Sequence, residues 1–337
     1  MSFIKDIINL FYFKKIEKKY KRIFFFENKF IENHLIPYIT KNNRNDQTLI
    51  ISLYTIDNSK FDNYKIITIK NLFILEIFFL ILKIKYVYSS TPDLNNSIFK
   101  KSIFNKSKYI YLQHSPLSLR IIYTNKAFIN FDIIFVINTF QEKDVREINY
   151  LFGKKIKLWR KNYLFTKNQI FTKDENHIKK ILLAPTWGTD FYKKNLHYKI
   201  KDICSNLNLQ LELRPHYMSY KKKEINLNKI FKDFKINDGK LNFNSIDVLI
   251  TDWSGIYLEY AYLINKKCIL INSTQKVLNN NIDYKQENYL DNIARKALGY
   301  QFDPNDIDKI SKKIKLLIQK NLNDEIEITN FFKRNFY

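Results

Sequence analysis

Cysteine, glycine and long apolar runs are all scarce in this sequence, and each shortage closes off a class of explanation. The 337 residues include 2 Cys, 5 Gly and 6 Pro. Cys204 and Cys268 fall inside predicted helix and strand segments, so they read as reduced core residues in a reducing compartment. A disulfide framework or cysteine-based metal site is excluded. Glycine use is well below the roughly 7% of an average protein. Lys, Asn, Ile and Phe are abundant in its place, as in genome-wide compositional drift. The longest apolar run, 72–82, is broken by Glu76 and stopped at Lys83, too short to span a bilayer at about 20 residues. No small-residue cleavage site follows an apolar stretch near Met1, so no secretory signal is expected. The expected location is the cytoplasm, peripheral at the inner face of the cytoplasmic membrane.

Acidic residues are the minority charge. Lys+Arg number 57 and Asp+Glu 33, for a formal net charge of +24. Such a field concentrates nucleic acid, anionic lipid headgroups or phosphorylated substrates. Zinc-finger spacing, an aromatic RNA-binding signature and an isolated basic tail are all lacking, so nucleic acid is not an expected partner. With 45% hydrophobic and 27% charged residues the chain is globular, and its length suits two domains of ordinary size.

Short β-rich runs alternate with helical stretches twice over, which predicts two α/β domains with parallel sheets. In the first half, strands are predicted over 48–54, 65–69, 85–89, 109–113 and 132–137, with a buried crossover helix over 72–83. In the second half they are predicted over 180–184, 209–214, 247–251 and 268–272, followed by an amphipathic helix over 306–320. The polar stretch Phe165 to His177 is the expected linker. Domains are therefore expected over 1–165 and 178–337, as two Rossmann-like doubly wound units facing a cleft, the GT-B plan. In such sheets ligands sit beyond the carboxyl ends of the strands.

The first thirty residues read differently. Phe3, Ile4, Ile7, Ile8, Phe11, Tyr12 and Ile16 lie on one helical face, and Lys5, Lys14, Lys15, Lys18, Lys19, Lys21 and Arg22 crowd the other positions. A basic amphipathic helix with aromatics suits an anionic membrane surface. The alternative is a helix packed on the first domain with a solvated basic back.

Rare residues cluster at predicted strand ends. One group is Ser90-Thr91-Pro92-Asp93, a hydroxyl-rich turn. A second is Gln113-His114-Ser115-Pro116, followed by Arg120. A third is Ala184-Pro185-Thr186-Trp187-Gly188, together with Arg214-Pro215-His216 at the next strand end. The fourth runs from Asp247 through Thr251-Asp252-Trp253-Ser254-Gly255 into a helix containing Glu259. In the fourth, an apolar strand delivers hydroxyls into a tight turn at a helix start, a natural anion site; the plainer possibility is that Ser254 is only an N-cap. Arg214 and His216 can both reach a phosphate. His114 can accept a proton near neutral pH, with Asp132 or Asp93 as possible orienting groups. Trp187 could stack on a base or sugar, or simply fill core.

At these residues the chain resembles the CDP-glycerol glycerophosphotransferase family. The segment 247–259 resembles its D-x-x-I-T-D-[YW]-S element, Ala184-Pro185-Thr186-Trp187 its A-P-T-W element, and Arg214-Pro215-His216 its R-x-H element. Gln113-His114-Ser115-Pro116 sits where that family carries an H-G-T-P-like turn. The resemblance covers about residues 89–299 with the motif order intact. It implies a GT-B fold, a CDP-polyol donor held mainly by the second domain, and departure of CMP. By resemblance, His114 and His216 are the catalytic pair, His114 as the base and His216 with the 252–255 turn holding the diphosphate; Thr186, Trp187, Gly188, Arg214 and Thr251 join them on the donor side. Ser90, Thr91, Asp93 and Arg120 are the acceptor-side expectations. No metal and no cofactor are expected. Three positions depart from the pattern: Ser115 for glycine, Tyr217 for a common proline, and Trp253 with Gly255 for tyrosine and serine. The last variant resembles a subgroup found in surface-polysaccharide loci, whose donor need not be CDP-glycerol.

The leading expectation is phosphopolyol transfer from a CDP-activated donor to a membrane-linked glycan. The second is glycosyl transfer from a nucleotide sugar in capsule or lipopolysaccharide assembly. The third is a noncatalytic protein that binds polyanions or membranes.

Overall fold

The computed structural model describes residues 2–28, 35–39, 45–57, 59, 61–104, 107–162, 179–238, 241–275, 277, 279, 282–283, 289–319 and 322–336. The chain divides into two units, Met1–Leu164 with Tyr337, and Phe165–Phe336. The expected linker 165–177 lies outside the described residues.

In the first unit, seven strands form one parallel sheet. They are β1 (Arg22–Phe26), β2 (Thr48–Ser52), β3 (Lys65–Thr68), β4 (Tyr86–Ser89), β5 (Lys108–Tyr111), β6 (Ile133–Val136) and β7 (Lys157–Arg160), in the order β3-β2-β1-β4-β5-β6-β7. The central strands are mostly apolar and buried because helices or loops cover both faces. Phe25 and Ile51 enter one core layer with Phe78 and Phe79 of the helix Leu72–Leu80; Phe24 and Ile50 enter the opposite layer with Tyr88 and Ile110. Asn71 caps that helix by accepting from Ile74 N. The helix Thr139–Phe152 is capped by Asn138 and ended by Gly153 in the left-handed region.

Six parallel strands build the second unit: β8 (Lys180–Leu183), β9 (Gln210–Leu213), β10 (Lys235–Ile236), β11 (Val248–Thr251), β12 (Cys268–Ile271) and β13 (Gly299–Phe302). Their order, β10-β9-β8-β11-β12-β13, repeats the pattern of the first sheet. Both are doubly wound, reversing direction between β1 and β4 and between β8 and β11. Cys204 and Cys268 are free and buried, and burial pushes both thiols up to about 12.

The expected strands are all present, shortened at their ends. Four strands were not expected: β1, β7, β10 and β13. The predicted helix over 306–320 begins as a 3-10 turn, Pro304–Lys309, and becomes a regular helix only over Ile310–Ile318.

The amino-terminal helix, Ser2–Ile16, packs on the first unit and also leaves apolar residues exposed. Phe13 is fully buried, and Ile7, Leu10 and Ile16 pack against the same core. Asp6 accepts from the backbone amides of Lys70 and Asn71, and Asn9 donates to Thr68 O. Yet Phe3, Ile4, Ile8 and Phe11 are each more than half exposed. The predicted apolar face is thus largely outward, and a second stripe anchors the helix. Leu72 and Phe73, beside the amides that Asp6 holds, are exposed as well.

Candidate active site

The turn after β11 is built from inside the fold. Thr251 is buried and its hydroxyl donates to Ala184 O at 2.6 Å. Asp252 is fully buried. Its carboxylate accepts from Thr186 N at 2.7 Å, Thr189 Oγ1 at 3.0 Å and Ser273 Oγ at 3.1 Å. Burial pushes its pKa up while these donors and Arg295 oppose the rise. Arg295, from the helix Leu290–Leu298, is 1% exposed. Its guanidinium donates to Asp252 O and to Asn272 Oδ1, and lies 3.9 Å from the Trp253 ring centroid. Trp253 Nε1 in turn donates to Ser273 O. A buried polar group left unpaired is costly, so these bonds hold the turn in one shape.

What the clamp presents is Ser254 and the start of the helix Ile256–Ile264. Gly255 occupies the N-cap position, and no side chain caps the helix. Ser254 is half-buried, and its hydroxyl makes no hydrogen bond among the described residues. The simple capping role is therefore not the one Ser254 fills. Uncapped amides beside a free hydroxyl suit an anion.

Beside it are the ends of β8 and β9. Trp187 is half-buried and its ring lies 6.3 Å from that of His216, centroid to centroid. Gly188 adopts a left-handed φ of 76° and donates its amide to Glu224 Oε1. Arg214 Nη1 donates to Asn237 O and Asn237 Oδ1; burial lowers its pKa, and the charge of Glu259 opposes that. His216 is exposed, and its Nδ1 accepts from Met218 N at 3.1 Å. A backbone amide only donates, so the neutral ring carries its proton on Nε2. In this tautomer His216 carries a hydrogen-bond donor at Nε2, a group that suits a phosphate oxygen.

In the first unit His114 follows β5. Its Nδ1 is 3.2 Å from Tyr111 Oη and its Nε2 is 3.0 Å from Tyr123 Oη. Burial raises both phenols. The loop behind is fixed by Asn138 to Pro116 O, by Gln141 to Ser115 O and Leu117 O, and by Asp144 to Ser118 and Leu119. Asp132 does not orient the ring. It sits at the amino end of β6, accepting from Tyr109 N and pairing with Lys101 and Lys108. Thr91 donates to Glu27 Oε2, Ser90 is buried, and Asp93 is half-buried. Arg120 is paired with Glu147. A cavity of about 600 Å³ along β7 includes Arg146 and Arg160, both paired with Glu142, and none of the motif residues. Among the described residues, no three or more His, Cys, Asp or Glu are grouped to hold a metal.

Glu27, Tyr111 and Tyr123 in the first unit, and Thr189, Ser273 and Arg295 in the second, were not anticipated. The one available signal was Glu27, a charged residue closing the apolar run 23–26.

Two doubly wound parallel sheets of this order define the class, a GT-B-like protein. The whole-chain comparisons agree. The wall teichoic acid polymerase TagF, solved with CDPG, matches over 98% of this chain and 88% of its own, at 16% identity and a TM-score of 0.62. The UDP-GlcNAc 2-epimerase of Methanocaldococcus jannaschii, in complex with UDP-GlcNAc and UDP, matches over 93% and 99%, at 15% identity and 0.57. MnaA of S. aureus with UDP matches over 92% and 90%, at 10% identity and 0.58. At these identities the likeness is one of fold. No curated protein matches by sequence. Residues 162–276, almost wholly in the second unit, match the family model for CDP-Glycerol:Poly(glycerophosphate) glycerophosphotransferase. That match spans about a third of the chain, and the likeness to TagF is one of fold.

Proposed function

We propose that this enzyme transfers a phosphopolyol, glycerol phosphate or a close relative, from a CDP-activated donor to a hydroxyl of a membrane-linked glycan. The observation that carries the reading is the clamped turn 252–255 with its free Ser254 hydroxyl and uncapped helix start, inside the segment matched by the family model. The CDPG present in the TagF structure supports the donor class.

The second unit takes the donor. His216 Nε2–H, Arg214, the Ser254 hydroxyl and the first helical amides hold the diphosphate, and Trp187 and Gly188 border the nucleotide. Thr186, Thr251 and Asp252 act one layer behind, by fixing the turn. The first unit takes the acceptor. An acceptor oxygen attacks the phosphorus that bears the polyol, the bond to the CMP oxygen breaks, and CMP leaves. His114 receives the acceptor proton. Negative charge developing on the bridging oxygen is met by the donor groups already aimed at the diphosphate. The outward apolar face of the amino-terminal helix, with its lysines, brings the enzyme to an anionic membrane surface at the inner face of the cytoplasmic membrane.

Direct titration against CDP-glycerol, CDP-ribitol, CMP, UDP and GDP tests this. Cytidine nucleotides should bind selectively, and His216→Ala and Ser254→Ala should each weaken CDP-glycerol by about tenfold, as loss of a charge-assisted hydrogen bond does. Tight binding of UDP or GDP instead favours glycosyl transfer from a nucleotide sugar. No nucleotide binding by folded protein sinks both.

A further inference from the structure

The first unit carries polar groups of the Ser90–Asp93 and Gln113–His114 turns, joined by Glu27, that lie outside the family match over 162–276. Glu27 follows β1 and Thr91 follows β4, the pair of strands at which the sheet order reverses. The Thr91 hydroxyl donates to Glu27 Oε2 at 2.8 Å across that point, where ligands of doubly wound sheets sit. Asp93 is held in left-handed backbone, φ 61°, by its amide on Ala127 O and its carbonyl under Asn96 N. Its carboxylate is half-buried, makes no hydrogen bond among the described residues, and is raised in pKa by burial. The charges of Glu27 and Asp93 both act on Tyr123, whose hydroxyl meets His114 Nε2.

Two buried donors on the same strand ends are also unspent. Ser90 Oγ and Gln113 Nε2 belong to side chains 1% and 2% exposed, and neither has a partner among the described residues. Ser90 lies between Ser89 and Thr91, and Gln113 directly precedes His114. Native proteins rarely leave such groups unsatisfied unless something else completes them.

The chemistry of the set selects its ligand. A phosphate or carboxylate brought against Glu27 and Asp93 meets like charge. A neutral, hydroxyl-rich end offers O–H donors to the two carboxylates and lone pairs to Ser90 and Gln113. We infer that Glu27, Ser90, Asp93 and Gln113 form a subsite for the uncharged polyol or sugar end of the acceptor, beside His114. The Tyr123 hydroxyl, resting on Nε2, holds the place that the reacting acceptor hydroxyl takes. This rests on the reading of His114 as the base.

The test uses the full chain with CDP-glycerol as donor and two soluble acceptors, a glyceryl glycoside ending in a free diol and its phosphomonoester. Asp93→Asn and Glu27→Gln keep size and shape. Each should raise the KM for the diol by about tenfold and narrow the preference over the phosphate-ended acceptor. The donor KM should stay within about twofold, because a merely structural loss would move it as well. A second readout needs no turnover: the His114 imidazole NMR signal, assigned with His114→Asn, should shift with added glycerol but not with inorganic phosphate. That shift should vanish in Asp93→Asn. A glycerol-dependent shift without turnover of CDP-glycerol leaves the subsite standing and removes the donor reading. Unchanged acceptor KM in both variants, or a donor KM that rises in step, overturns the subsite.

Discussion

At the scale of single residues, the site is decided by groups that never reach its surface. Asp252 looks in the sequence like a ligand-binding carboxylate, but all its bonds run to Thr186, Thr189 and Ser273. Arg295 comes from 43 residues further on and spends its guanidinium on the carbonyl of Asp252, the Asn272 side chain and the face of Trp253. Arg295→Met should leave those acceptors unpaired inside the protein, a loss of about 2–3 kcal/mol. Urea denaturation should show the loss, and Kd for CDP-glycerol should rise with it; an unchanged midpoint would mean the clamp is idle. The strand-end positions of His114, His216 and Ser254 were legible because short apolar runs stop just before them. Arg295, Tyr123 and Glu27 were not. Their contacts join segments far apart in sequence or carry no periodicity, and single-sequence patterning records neither.

Secondary-structure elements were legible where the physics is local. Parallel strands such as β5, β6, β8, β11 and β12 are short apolar runs ended by polar or turn residues, and the sequence shows that directly. β1 escaped because its run Arg22–Phe26 follows a lysine-rich helix end and looks like that helix continuing. β7 is an edge strand with mostly exposed side chains, and β13 opens on Gly299, so neither carries a buried-strand pattern. The amino-terminal helix shows the limit of one-face reasoning. Its apolar residues serve two surfaces, Phe13 inward and Phe3, Ile8 and Phe11 outward. Two substitutions should separate these roles. Phe13→Ala should cost about 3–5 kcal/mol as a core truncation. Changing Phe3, Ile8 and Phe11 together to Ser should leave the melting temperature nearly unmoved while reducing sedimentation with phosphatidylglycerol vesicles severalfold. If vesicle binding by the triple variant matches the wild type, the outward face has another use.

The whole molecule repeats one topology in two units, under a net charge of +24. That charge makes acid an especially hard condition, since protonating carboxylates only adds to the self-repulsion. Within the second unit His197 adds a specific burden. Its ring is packed among Tyr192, Tyr198 and Phe234, and burial, with help from the charge of Lys229, lowers its pKa from 6.5 to about 4. Between those values the unfolded chain binds a proton that the folded chain refuses, so stability rises with pH across the window and is lost as pH falls through it. The buried carboxyls Asp144 and Asp252 are raised from 3.8 by burial, so the folded state holds their protons more tightly and they act in the opposite sense. The fall from pH 6.5 toward 4 should therefore trace to the histidine, at on the order of 2 kcal/mol. His197→Phe, which suits an aromatic cage, should flatten that limb when the unfolding midpoint is followed from pH 7 to 4, and should leave the behaviour below pH 4 alone. An unaltered slope would mean that the cage admits the proton without cost, and the acid sensitivity would then belong to the global charge.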